Sequence, residues 1–292
     1  MSHHSARHHR RPQRRPLALA AAALAGMAGL SGCGGSPGAG IADAYACAFT
    51  NCKSSTEVAA EDLRLGGNLT RENGRVTASF GLGYRANLLT VVRLQSPDGM
   101  LLLPGPVPLE PKSQEGGALG AQVQSSQDRW TVRLQHGGKS YDSSIELPPE
   151  VQIRVPAPST LTRSLGQFGT TLNVAADPLP QVVLGDGDCQ LADGRSARWS
   201  GEKNGPAVRL NGAGAGQYEY GVSTEALQLS LNEAAASALS ATSSAGIVVK
   251  QCRVSLVWAV TRNGTVASAL SSYGSVRGTS QVRQSLSYVN DR

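Results

Sequence analysis

Between Val248 and Thr261 the chain carries Cys252, Val254, Leu256, Trp258 and Val260 at every second position. Successive side chains of a strand point to opposite faces, so these five share one face of an extended segment. The same alternation recurs at Val76, Ala78, Phe80 and Leu82, and at Leu119, Ala121 and Val123. Trp130, Val132 and Leu134 share a face, His136-Gly137-Gly138-Lys139 turns, and Tyr141, Ser143, Ile145 and Leu147 return. Leu88–Leu94 is a continuous apolar run and reads as a central strand, and Gln281–Val289 reads as a last strand with Val282, Leu286 and Tyr288 in phase. Asp193-Gly194 predicts a hairpin between Cys189–Leu191 and Ala197–Trp199; Asn263-Gly264 predicts another, returning through Val266–Leu270. The expected class is all-β, with many short strands and polar turns.

One segment is ambiguous. Leu227, Leu229 and Leu231 alternate, which predicts a strand followed by a short helix over Glu233–Leu239 capped by Asn232. The alternative is a single helix from Thr224 to Ser240, favoured by the alanines and opposed by the period-two leucines.

Pro-rich punctuation at Pro156-Ala157-Pro158 divides the expected strands into a β-domain over 55–155 and another over 156–292. Ahead of them, 33–54 reads as a tether, Gly-rich from Gly34 to Gly40, followed by a small Cys loop.

The N-terminus has a different character. Arg7, Arg10, Arg11, Arg14 and Arg15 precede the uncharged, Ala-rich run Leu17–Leu30, and no acid lies among them. At 14 residues that run falls short of the ~20 needed to span a bilayer. A basic segment, a short apolar run and small residues define a secretory signal, predicted over 1–32. Gln13-Arg14-Arg15-Pro16-Leu17 matches a twin-arginine export motif only in part. An uncleaved membrane-anchoring segment is the alternative. Leu30-Ser31-Gly32-Cys33 closes the run and resembles the lipobox of bacterial lipoproteins. The resemblance implies that Cys33 becomes the first mature residue and that its thiol carries diacylglycerol as a thioether. Gly34 stands where an Asp would imply retention in the inner membrane, so the implied address is the outer membrane, facing periplasm or cell surface.

Cleavage there changes the composition. The formal charge of +6 loses five Arg and no acid, leaving 22 Lys+Arg against 21 Asp+Glu, or +1 over 260 residues. No basic patch for nucleic acid survives that cut. His3, His4, His8 and His9 also go, leaving His136 as the one imidazole for acid–base or metal chemistry.

Five cysteines are present, and acylation of Cys33 leaves four in an exported chain, where disulfides persist. Three pairings are possible. Cys47–Cys52 and Cys189–Cys252 are expected, the first local and the second within one domain, with Cys189 presented from the sheet opposite Cys252. Metal binding by the C-x4-C pair and a free reactive thiol are the alternatives.

Two β-domains with turns every 8–12 residues or so resemble tandem immunoglobulin-like β-sandwiches, with Cys189, Trp199 and Cys252 as a loose match to the Cys-Trp-Cys core. The layout also resembles proteobacterial lipoproteins with two such domains. That likeness implies location and shape and carries no activity.

Catalytic motifs are sparse. Ser200-Gly201-Glu202-Lys203 matches S-x-x-K without the S-D-N and K-T-G partners of penicillin-binding enzymes. Asp186, Asp188 and Asp193 form the densest acidic cluster and are the calcium candidates, though Gln190 occupies the third ligand position of an EF-hand pattern and Asp-Gly repeats more often make turns. Trp130, Trp199 and Trp258 lie in alternating strands and read as core. Tyr218 and Tyr220 share a face and would serve a glycan platform if exposed. Asn68-Leu69-Thr70 and Asn263-Gly264-Thr265 match glycosylation sequons, which mean little in a bacterial lipoprotein. No motif calls for a cofactor. The expectation is a lipid-anchored, non-enzymatic envelope protein with a structural or binding role whose ligand the sequence does not name, an envelope protein or a glycan being the candidate partners. The alternatives are an adhesin-type glycan-binding module and an envelope enzyme with an unrecognised site.

Overall fold

The computed structural model describes residues 51–105, 107–114, 117–174 and 178–292. Its first strands are β1 (Cys52–Ser54), β2 (Leu63–Glu72), β3 (Arg75–Tyr84), β4 (Asn87–Arg93), β5 (Gly99–Leu103), β6 (Lys112–Ser113), β7 (Leu119–Gln124), β8 (Arg129–His136) and β9 (Lys139–Glu146). They are followed by β10 (Ile153–Val155), β11 (Thr160–Thr162), β12 (Gln167–Leu172), β13 (Gln181–Leu191), β14 (Ser196–Trp199), β15 (Lys203–Asn204), β16 (Arg209–Gly214) and β17 (Gln217–Ser223). A helix, α1 (Thr224–Ala238), precedes the long strands β18 (Val249–Asn263) and β19 (Ser275–Val289).

The fold is an all-β sandwich. Its large sheet runs β1-β4-β3-β2-β19-β18-β13-β14, with β7 also paired to β3. The three-stranded sheet β5-β8-β9 and the four-stranded sheet β10-β12-β17-β16 are separate layers. Strand alternation sets the packing. Val76, Ala78, Phe80 and Leu82 on β3 are buried with Trp130, Val132 and Leu134 on β8 in one core. Val254, Leu256, Trp258 and Val260 on β18 are buried with Phe168, Leu172, Tyr220 and Val222 of the four-stranded sheet in a second. β19 serves both, giving Val276 to the first and Leu286 and Tyr288 to the second. It reaches the first half through parallel pairing with β2, from Ser275↔Gly66 to Gln281↔Glu72.

The hairpin at His136–Lys139 forms as expected. Gly137 and Gly138 have φ of 56° and 73°, the left-handed pair a tight two-residue turn needs.

Several local expectations are corrected. Leu227–Leu231 is not a strand: α1 runs unbroken through it, and the Ser223 side chain caps it by accepting from Ala226 N–H. Leu227 and Leu231, four apart, are buried, while Leu229 is exposed. Asn232 is not a cap; its Oδ1 accepts from Gln228 Nε2 and from Val249 N–H, fastening helix to sheet. Asn263-Gly264 is not a hairpin turn, and Val266–Leu270 is not the returning strand. β18 pairs with β19 as far as Asn263↔Arg277, and the connection loops out over 264–274. Gly264 answers a close approach instead, since a Cβ there would lie 2.4 Å from the Ser144 carbonyl oxygen. Leu88–Leu94 is an inner strand of the large sheet as expected for Val91–Arg93, but not at its Leu88–Leu89 end. β4 lies between β1 and β3, but β1 is only three residues long and pairs with Val91–Arg93, and Leu88 and Leu89 before that stretch stand exposed. Gly185–Asp188, whose Asp-Gly repeat reads as a turn, instead lies inside β13, where the pairing with β18 is irregular between Leu184 and Gly187.

Candidate functional site

Cys33 and Cys47 lie outside the described residues. Cys52, the first residue of β1, is disulfide-bonded. Cys189 and Cys252 form a disulfide with Cα atoms 4.0 Å apart. They are directly paired on adjacent antiparallel strands, β13 and β18. The bond therefore ties neighbours within one sheet, which corrects the expectation that Cys189 comes from the opposing sheet.

The calcium candidates are not brought together as a site. Asp188 pairs with Arg198 at 2.8 Å and Asp193 with Arg195 at 2.7 Å. Hydrogen bonds from Arg195 hold the Asp193 carboxyl below its ordinary range. Asp186 accepts from Gly201 N–H at 2.8 Å and lies 3.9 Å from the Arg283 guanidinium. Among the described residues no cluster of three metal-ligating side chains forms.

Trp130, Trp199, Trp258 and Tyr220 are core residues. Tyr220 donates its hydroxyl to the Val174 carbonyl and tilts against Trp258 at 6.4 Å between ring centres. Tyr218 is only partly buried and packs at the margin of the second core. Lys203 begins β15 and donates to Ser237 Oγ, so Ser200–Lys203 is a turn entering a strand rather than the start of a helix.

Three groupings escaped the sequence reading. In the first, His136 Nδ1 lies 2.7 Å from Asp98 Oδ2, with the two side chains 10% and 3% exposed. Asp98 Oδ1 accepts from Gly137 N–H. Ser55, fully buried, hydrogen-bonds the same carboxylate, and its Oγ accepts from Gln95 N–H. Burial pushes the Asp98 carboxyl up, but the bonds from His136, Ser55 and Gly137 together outweigh it and hold the group below its ordinary value. The carboxylate sits between serine and imidazole, whereas a nucleophilic serine needs the imidazole as its base. The cluster instead staples the Ser55–Glu57 helical turn and the 95–98 turn to the β8–β9 hairpin.

In the second, Arg71, only 5% exposed, donates Nη2 to the Gln127 carbonyl at 2.9 Å and to Asp128 at 2.6 Å. It holds the entry to β8 against the end of β2.

The third is an apolar corner. Leu88 is 66% exposed, Leu89 80% and Tyr273 65%. Leu88 and Tyr273 line a hollow of about 370 Å³ with Asp62, Arg85 and Ala86. The Arg85 guanidinium lies 5.8 Å from the Tyr273 ring centre. A signal for it was present: two consecutive leucines in a strand cannot both face one core.

No protein-family model matches the chain. A search of curated proteins likewise finds no match.

Proposed function

We propose that this chain is a lipid-anchored protein of the bacterial outer membrane, acting by binding rather than catalysis. The observation that carries the reading is Leu30-Ser31-Gly32-Cys33 at the end of an uncharged run preceded by five arginines. Three cysteines engaged in disulfides, Cys52, Cys189 and Cys252, suit an oxidising compartment outside the cytoplasm. The use of the polar groups supports the non-catalytic part. His136 is occupied by Asp98, Ser55 is bonded to that carboxylate, and Arg71 is engaged with Asp128. None of these forms a nucleophile–base pair. Binding then falls to surface features set on a rigid sandwich. The test is Cys33→Ser in the native host. The account expects loss of acyl label and release from the membrane fraction; unchanged labelling and fractionation would overturn it.

A further inference from the structure

We propose that the Leu88–Leu89 end of β4, together with Tyr273 and Arg85, is a membrane-contacting edge that lays the sandwich against the lipid surface. The proposal rests on the lipid-anchor reading and adds to it an orientation and a contact.

The first support is the corner itself. Leu88 and Leu89 are the two most exposed apolar side chains on one strand, and Tyr273 closes the other side of the hollow. Being consecutive on a strand, the two leucines project to opposite faces of its end, Leu88 into the hollow with Tyr273 and Leu89 outside its lining, so together they make an apolar edge, and an exposed apolar edge marks a surface that something covers. The second support is where the chain enters the fold. β1 runs parallel to β4 with Cys52 opposite Val91, and the Asn51 carbonyl accepts from Val91 N–H at 3.1 Å. The segment that leads back to Cys33 therefore joins the fold two to three residues from Leu88 and Leu89 along the neighbouring strand. Asn51 lies eighteen positions after Cys33, so a lipid on Cys33 is tethered within about 60 Å of this corner at full extension. The third support is chemical. Aliphatic side chains entering an interface, a tyrosine at headgroup level and a guanidinium able to pair with phosphate are the components of interfacial binding. Arg85 lies against Tyr273, which holds cation and aromatic ring side by side. Asp62 lines the same hollow, and its carboxylate limits the net positive charge there. The attachment is therefore led by the apolar groups.

The test uses the full lipidated chain in vesicles of phosphatidylethanolamine and phosphatidylglycerol doped with nitroxide lipid. A bimane probe is placed on Leu89→Cys or on Leu210→Cys, which is exposed on the small sheet over the second core. The expected result is quenching at position 89 by about two-fold, as for a group lying ~5–10 Å into the interface, and little change at 210. In a second pair of proteins the probe is on Tyr273→Cys, with and without Leu88→Asp/Leu89→Asp. The aspartates are expected to abolish quenching at 273 while circular dichroism and co-flotation with vesicles stay unchanged. A lipidated, co-floating protein whose probes at 89 and 210 quench equally overturns this proposal and leaves the anchor reading standing. A fluorescence change at 89 that follows protein concentration without vesicles overturns it in favour of self-association. An intact mass showing Cys33 without lipid overturns both.

Discussion

Trp199 packs over Gly187, its cross-strand partner on β13, so closely that a Cβ on the glycine would lie 2.1 Å from the indole ring. The indole N–H reaches past it to the Gly185 carbonyl. Overfilling such a site forces the ring or the strand to move, at a cost of ~1–3 kcal/mol. Gly187→Ala is therefore expected to lower stability by about 2 kcal/mol and to change tryptophan emission. Gly66→Ala, where nothing lies within 4 Å of the new carbon, should be close to neutral. Equal effects in a urea titration would contradict this packing.

The α1 assignment separates cleanly from the strand alternative. Leu227 and Leu231 are fully buried, and Leu229 is exposed. Replacing either buried leucine by alanine should cost ~2–5 kcal/mol, and Leu229→Ala should stay within ~0.5 kcal/mol. A strand would put all three on one face and make the three losses alike.

Acid should weaken the Asp98–His136–Ser55 staple. The folded Asp98 carboxyl is held below its ordinary value of 3.8. A depressed carboxylate contributes stability that is present above that ordinary value and is lost as pH falls through the folded one. Asp98→Asn should cost about 2 kcal/mol at neutral pH, the worth of hydrogen bonds to a charged group. The deficit should shrink as pH falls below 3.8. Melting temperatures of both proteins across pH 2–7 test this, and parallel curves would contradict it.

The Cys189–Cys252 bond spans 63 residues. In the chain-entropy model a loop of that length contributes about 4 kcal/mol. A Cys189→Ser/Cys252→Ser double variant should unfold at distinctly lower urea than the oxidised protein. Added reductant should leave the variant's midpoint nearly unchanged apart from any effect at Cys52, which is also disulfide-bonded.

What was legible in the sequence was what alternation and turn chemistry encode locally. β3, β8, β9 and β18 could be read from inward residues at every second position, β7 from the same spacing with Ala121 and Val123 only partly buried, and the His136–Lys139 turn from its two glycines. The helix was harder, because Leu227, Leu229 and Leu231 satisfy a strand's spacing while only the first and last satisfy a helix's. Asn263-Gly264 misled because its glycine meets Ser144 on a distant strand rather than closing a turn. Long-range partnerships left no local trace. Asp98 and His136 are 38 residues apart, Arg71 and Asp128 57, and β2 pairs with β19 from the far end of the chain. The apolar corner was half visible: Leu88-Leu89 announced that one leucine must face outward, but that β1 pairs with β4 only from Val91 onward, leaving this end without a partner from β1, has no local trace.

The most direct test of the lipid-anchor reading is the mass of the N-terminal peptide of the protein purified from its own membranes. The account predicts a chain beginning at Cys33 and carrying thioether-linked diacylglycerol. A chain that retains residues 1–32, or one that begins at an unmodified Cys33, would contradict it.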